Sequence, residues 1–183
     1  HFRDEWSSYH VVDYDTITGK PIEKVTHQGL SDESAWGRGQ AWGLYGFTMT
    51  YRETIDEKYL NVAENIAGFI IENLPEDGVS YWDYNDPDIP ETNRDASAAA
   101  ITASALFELS LLAENGQKYL DTANKIVESL TSEKYRATGG TNGGFILKHS
   151  VGHKPKSSEV DVAINYADYY YLEALKRQQE FLK

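Results

Sequence analysis

The densest run of chemically capable side chains lies between Ser34 and Gly46, reading Ser-Ala-Trp-Gly-Arg-Gly-Gln-Ala-Trp-Gly-Leu-Tyr-Gly. On a helix Trp36 and Gln40 stand one turn apart, as do Arg38 and Trp42. A guanidinium can clamp a carboxylate through two parallel hydrogen bonds, and an indole can lie under a sugar ring. A cation early in a helix opposes the dipole, so something negative must compensate Arg38. Two readings are open: a structural salt bridge to Asp32, Glu33 or Asp95, or a carboxylate substrate. Trp42 is either core or a sugar platform. His10, His27 and Gln28 add donors upstream in loop-like sequence, and Arg94-Asp95-Ala96-Ser97 reads as a helix cap with an ion pair between units.

General acid–base hydrolysis needs carboxylates at a set separation. Of 29 acidic residues, most fall on outer helix faces or at caps. Asp83, Asp86, Asp88 and Asp95 remain at the same end of the chain's helices as Trp36. No local pattern forces any of them to be buried with a raised pKa, so the residues by themselves name no acid. Asp83 to Asp88 superficially resembles a calcium loop but lacks the EF-hand spacing and its closing Glu.

The elements that must position these groups are helical and repeated. Tyr59, Leu60, Ala63 and Ile66 recur sixty residues later as Tyr119, Leu120, Ala123 and Ile126. A fixed period means stacked supersecondary units, here helix pairs that need neighbours to bury both faces. The patterns predict helices over 34–51, 56–73, 95–113, 117–130 and 158–180, the first capped by Ser31 or Ser34 and the last by Ser157 or Ser158. A short hairpin is expected around Thr18-Gly19-Lys20. The first, third and fifth helices are rich in small and aromatic residues, as inner helices of a ring would be; the other two are ordinary amphipathic surface helices. Gly37, Gly39, Gly43 and Gly46 each cost about 1 kcal/mol in a helix, so close packing against that backbone is expected. Trp36, the loop around Trp82 and the Lys148–Lys156 loop should share one rim.

Composition narrows the partners. The chain has 183 residues, a net charge of -12, no cysteine, thirteen Tyr and four Trp. Without a basic stripe a nucleic-acid partner is not expected, and no apolar run is long enough for a membrane span. Disulfides and Cys-ligated metals are excluded.

The run Ser34–Gly46, with His27-Gln28-Gly29 before it and Arg94–Ile101 after it, resembles glycoside hydrolase family 88, the unsaturated glucuronyl hydrolases. Lys154–Asp161 and Tyr166–Tyr170 fit the same family, so the resemblance runs over essentially the whole chain. It implies an all-α fold, an (α/α)6 toroid. Residues 1–183 would be roughly its C-terminal half, about three helix pairs with long rim loops, and the N-terminal part of the single catalytic domain would be absent. The implied reaction hydrates the C4–C5 double bond of the terminal uronic acid on unsaturated glucuronyl oligosaccharides left by polysaccharide lyases. An Asp donates a proton to C4 and assists water attack at C5; a second Asp sits nearby. Both are expected upstream of residue 1, so the isolated chain should be inactive.

By the same resemblance His10 contacts the unsaturated uronate, Gln28 hydrogen-bonds it, Arg38 is the cleft Arg with Trp36 beside it, and Trp42 stacks on the sugar. The Lys148–Lys156 loop lies where the family meets the next sugar and any sulfate. No metal or organic cofactor is implied. The partners implied are the unsaturated uronic-acid-terminated oligosaccharide and, across the open barrel face, the missing N-terminal half or a second copy. Unsaturated rhamnogalacturonyl hydrolases, which vary the Arg-Gly-Gln-Ala-Trp run, are the alternative family. A non-catalytic carbohydrate-binding or scaffold module is the alternative class, and a helical protein-interaction repeat a third. The compartment, cytoplasmic or periplasmic in a bacterium, stays open.

Overall fold

In the computed structural model, which describes residues 1–181, five helices carry nearly all of the core. The chain opens with a hairpin, β1 (Val11–Tyr14) and β2 (Pro21–Val25), antiparallel as the turn residues predict. Two helix pairs follow: α1 (Gly37–Thr54) with α2 (Glu57–Asn73), then α3 (Ala96–Leu112) with α4 (Gly116–Thr131). A second hairpin, β3 (Ser150–His153) and β4 (Ser158–Val162), leads to α5 (Asn165–Phe181). The all-α expectation therefore holds for the body, with two small hairpins added. Among the described residues no helix is long and apolar enough to cross a membrane.

Helix α3 is the hub, packing against α1, α4 and α5, while α2 packs on α1. Its Ala98, Ala99, Ala100, Ala103 and Ala105 are fully buried, because small side chains on every face let three helices approach one axis. Helices α2 and α4 bury a single stripe each, and the repeated positions Ala63, Ile66, Ala123 and Ile126 all lie in it. Each unit thus solves the same burial problem, and this is why the sixty-residue period is visible at all.

Two boundaries differ from expectation. Helix α1 begins at Gly37 with Trp36 as its cap residue and no side-chain cap. Ser34 is not the cap because its hydroxyl donates to Asp83 Oδ2 at 2.7 Å; the Trp82 carbonyl accepts from the Gly37 N–H at 2.9 Å instead. The last helix starts at Asn165, not near Ser158, because Ser158–Val162 pairs with β3. Ser157, Glu159 and Asp161 all hold positive φ there, a conformation no right-handed helix admits.

The N-terminal ends of α1 and α3 are tied to loops. The Ala96 N–H donates to the His149 carbonyl at 2.9 Å, and Asp95 N–H to the Ser80 carbonyl at 2.8 Å. Trp36 and Trp82 pack with Val151, and Lys154 Nζ reaches Asp86 at 3.2 Å. The predicted rim is therefore assembled: the start of α1, the Trp82 loop and the second hairpin meet at one end.

The glycines of α1 separate into two kinds. A Cβ at Gly37 would run into the Tyr81 carbonyl oxygen, whereas at Gly46 nothing lies within 4 Å. Gly37→Ala is expected to lose about 1–3 kcal/mol through forced displacement of the Tyr81 backbone, and Gly46→Ala to gain about 0.5–1 kcal/mol. Thermal unfolding of both variants checks this; equal shifts would contradict it.

Candidate functional site

At the rim end of α1, a cavity of about 450 Å³ is lined by His10, Gln28, Trp36 and Trp42, with Tyr9 and Phe2 completing its edge. Its volume lies within the range of small-molecule sites, about 300–1,000 Å³, and it has their usual make-up of apolar walls with few polar groups. The loop flanking the first hairpin supplies His10 and Gln28, and α1 supplies the indoles.

Trp36 forms the floor. It is 6 % exposed and wedged between the His10 ring, centroid to centroid 4.4 Å, and the Arg38 guanidinium, 4.6 Å from its ring. Gly39 lets the indole lie flat on the helix, since a Cβ there would sit 3.0 Å from Trp36 Cε3. Trp42, one and a half turns further along α1, is half-buried and held edge-on by Tyr170 at 5.2 Å, leaving part of its ring to the cavity.

His10 is fixed in one tautomer by its partners. Its Nδ1 lies 3.1 Å from the His27 N–H and 3.3 Å from the Gln28 N–H. Backbone N–H groups only donate, so Nδ1 accepts and a neutral ring carries its proton on Nε2. Burial pushes the pKa down, and the neighbouring His27, Arg38 and His153 push it the same way. The site thus contains a neutral imidazole with one donor held in place.

Gln28 donates from Nε2 to the Gly152 carbonyl at 2.8 Å. That carbonyl also accepts from Arg38 Nη2 at 2.8 Å. Arg38 Nη1 donates to Asp95 Oδ2 at 2.9 Å and to the Val151 carbonyl. Asp95 in turn caps α3 by accepting from Ser97 N–H at 3.0 Å, and it takes the Val151 N–H at 3.3 Å. Of the two readings open for Arg38, the structure supplies the ion pair, with Asp95 as the acid. The expected carboxylate clamp is not displayed: Arg38 is 3 % exposed and both of its Nη atoms are engaged, so it stands behind the cavity wall. The cap with an ion pair between units, expected at Arg94-Asp95-Ala96-Ser97, is present.

Three of the four rim carboxylates, Asp83, Asp86 and Asp95, are occupied as acceptors, and Asp88 is exposed. Asp83 accepts from Leu30 N–H and Ser34 Oγ. Burial alone would raise the Asp86 pKa, but bonds from Thr92, the Asp88 N–H, Trp82 and Lys154 hold it down at about 2. A carboxyl held ionised in this way is no proton donor at neutral pH. Sequence reasoning missed Tyr9 as a cavity residue and the Val151 and Gly152 carbonyls as the acceptors that seat Arg38. Backbone acceptors leave no trace in residue type; Gly152 leaves an indirect one, because a Cβ there would collide with Glu159.

No family model matches the chain. Residue by residue it is 52% identical over 183 residues to the unsaturated glucuronyl hydrolase of Formosa agariphila, an alignment covering 99% of this chain and 46% of that protein. It is 38% identical over 179 residues to the unsaturated chondroitin disaccharide hydrolase of Streptococcus pneumoniae, covering 96% of this chain and 45% of that one. The crystal structure of an unsaturated glucuronyl hydrolase specific for heparin superposes with a TM-score of 0.97 at 53% identity, over 100% of this chain and 50% of that one.

The chain is a homologue of the unsaturated glucuronyl hydrolases.

It spans about half the length of the relatives it matches, and its five helices pack as part of their (α/α) toroid. The resemblance read from Ser34–Gly46 is thus upheld along the whole alignment.

Two outcomes test this geometry. Because folding lowers the His10 pKa, its contribution to stability is complete above the free-imidazole value of 6.5 and is lost as pH falls below that value and through the folded pKa. Nitrogen chemical shifts should show Nδ1 unprotonated and Nε2 protonated at pH 7, with a midpoint below 6.5; a midpoint at or above it contradicts the assignment. Arg38→Ala leaves Asp95 buried without its cation and should cost about 3–5 kcal/mol in denaturant unfolding. A loss under about 1 kcal/mol would show that the pair does not hold the rim together.

Proposed function

We propose that this chain forms the sugar-gripping part of an unsaturated glucuronyl hydrolase. The reaction is the hydration of the C4–C5 double bond of the terminal uronic acid on an oligosaccharide released by a polysaccharide lyase. One observation carries the reading: four of the five residues selected from sequence, His10, Gln28, Trp36 and Trp42, line one cavity in a chain homologous to that family.

Each group has a role its geometry suits. Trp42 offers a half-buried ring for the apolar face of a pyranose. The His10 Nε2–H is a neutral donor for a hydroxyl or carboxylate oxygen of the uronate. Gln28 spends its Nε2 on Gly152 and keeps its carbonyl oxygen as an acceptor for a sugar hydroxyl. Arg38 acts through Gln28: it fixes the Gly152 carbonyl on which the amide is seated.

In this reading the proton donated to C4 and the base that assists water at C5 come from the part of the toroid outside this chain, since the rim acids Asp83, Asp86 and Asp95 serve as acceptors. The natural partner of this half is then the rest of the ring. The named relatives are glucuronyl and chondroitin disaccharide hydrolases, which favours this reading over the rhamnogalacturonyl alternative.

The test follows loss of the ultraviolet absorbance of the unsaturated uronate. The full-length protein should consume an unsaturated disaccharide, and the 183-residue chain by itself should not. Trp42→Ala in the full-length protein should raise KM on the order of tenfold through lost ring contact, with a near-wild-type melting temperature. Turnover by the isolated chain, or equal loss of folding and affinity in Trp42→Ala, would overturn the assignment.

A further inference from the structure

The first hairpin carries a feature that the roles above leave unused. Tyr9, which lines the cavity, has two cations on its ring: Arg3 Cζ lies 3.9 Å and Lys24 Nζ 4.2 Å from the centroid. The two cations differ in what else they touch. Arg3 is tied to Ser7, to the carbonyls of Ser8, Asp32 and Ser34, and to Glu33 at 3.6 Å. Lys24 has no carboxylate within ion-pair distance among the described residues, and a ring face is its only cationic contact.

Other cations, Lys20, Lys118 and Lys125 among them, also lack an ion-pair partner among the described residues; Lys24 differs in lying on a residue that lines the cavity. The strand register places it there. Lys24 pairs with Val12, while Asp13 and Glu23 face each other on the opposite side of the hairpin. Ile22, two residues away and on the side of Lys24, is 65% exposed, so nothing among the described residues covers it. The hairpin therefore sets a cation on the cavity residue Tyr9 and keeps Asp13 and Glu23 on its other face.

We infer that Lys24, perched on Tyr9, is a specificity-determining residue: it recognises an anionic substituent, a carboxylate or a sulfate ester, on the portion of the saccharide that projects from the cavity past Tyr9. This rests on the proposed sugar-hydrating function and deepens it. Tyr9 holds the ammonium near the mouth by a cation–π contact, and an arriving anion adds a charge-assisted hydrogen bond without displacing any protein carboxylate. Exposure makes the contact sensitive to salt.

The experiment uses the full-length protein with Lys24→Gln and Lys24→Glu, and two pairs of unsaturated saccharides. One pair differs only by a sulfate ester on the second sugar, the other only by a carboxylate there. The expected result is a fall of about threefold to tenfold in the kcat/KM ratio of anionic over neutral substrate for Lys24→Gln, carried by KM, and a larger fall for Lys24→Glu. Lys24→Arg should restore the ratio, and raised salt should shrink the wild-type preference. The pair that responds identifies which anion is read. An unchanged ratio for both pairs in Lys24→Gln overturns the inference. If the wild-type protein consumes none of the saccharides, the hydration reading fails instead, and calorimetric affinities for the same pairs decide on Lys24 with the same expected ratio.

Discussion

One buried ion pair organises this end of the molecule. Arg38 stands in the first turn of α1, where the helix dipole disfavours a cation, and Asp95 caps α3, where an anion is favoured. Joining them sets one carboxylate against the positive ends of both helices and against the guanidinium. Desolvating both charges costs several kcal/mol each, and a single contact does not offset that. Here the carbonyls of Val151 and Gly152 and the N–H groups of Ser97 and Val151 supply the missing partners. The result is a three-way joint between two repeat units and the second hairpin, and the floor of the cavity rests on it through Trp36.

Much of the architecture is written in residue spacing. The sixty-residue recurrence announces helix pairs because each unit buries the same stripe. The all-small surface of Ala96–Leu112 announces a helix with neighbours on every side. The second hairpin is less visible: Val160 and Val162 alternate with polar residues, but five residues of period two beside a long helical pattern are easily absorbed into it. Ser157 just before β4, and Glu159 and Asp161 within it, hold left-handed backbone, and their residue types do not advertise that conformation.

The candidate site was legible in its side chains and not in its backbone. Trp36, Trp42, His10 and Gln28 stand out by type and motif, and the fold brings them together. The partner of Arg38 was narrowed to three acids; only the fold shows that Asp95, fifty-seven positions away, is the one in contact. The approach of His10 and Gln28 to this helix is set by the Nδ1 acceptor and by the Gly152 carbonyl, and main-chain groups are the same in every residue.

The imidazole of His10 also fastens the two ends of a long excursion, since the amide it receives from Gln28 lies eighteen residues on. Everything beyond that fastening, including the turn at Asp15–Lys20, is relieved of any duty to hold the pocket's shape. Chain added or removed out there changes closure entropy only with the logarithm of its length. Evolution is thereby handed a tip it can redesign, in reach and in charge, while the ring below keeps its place.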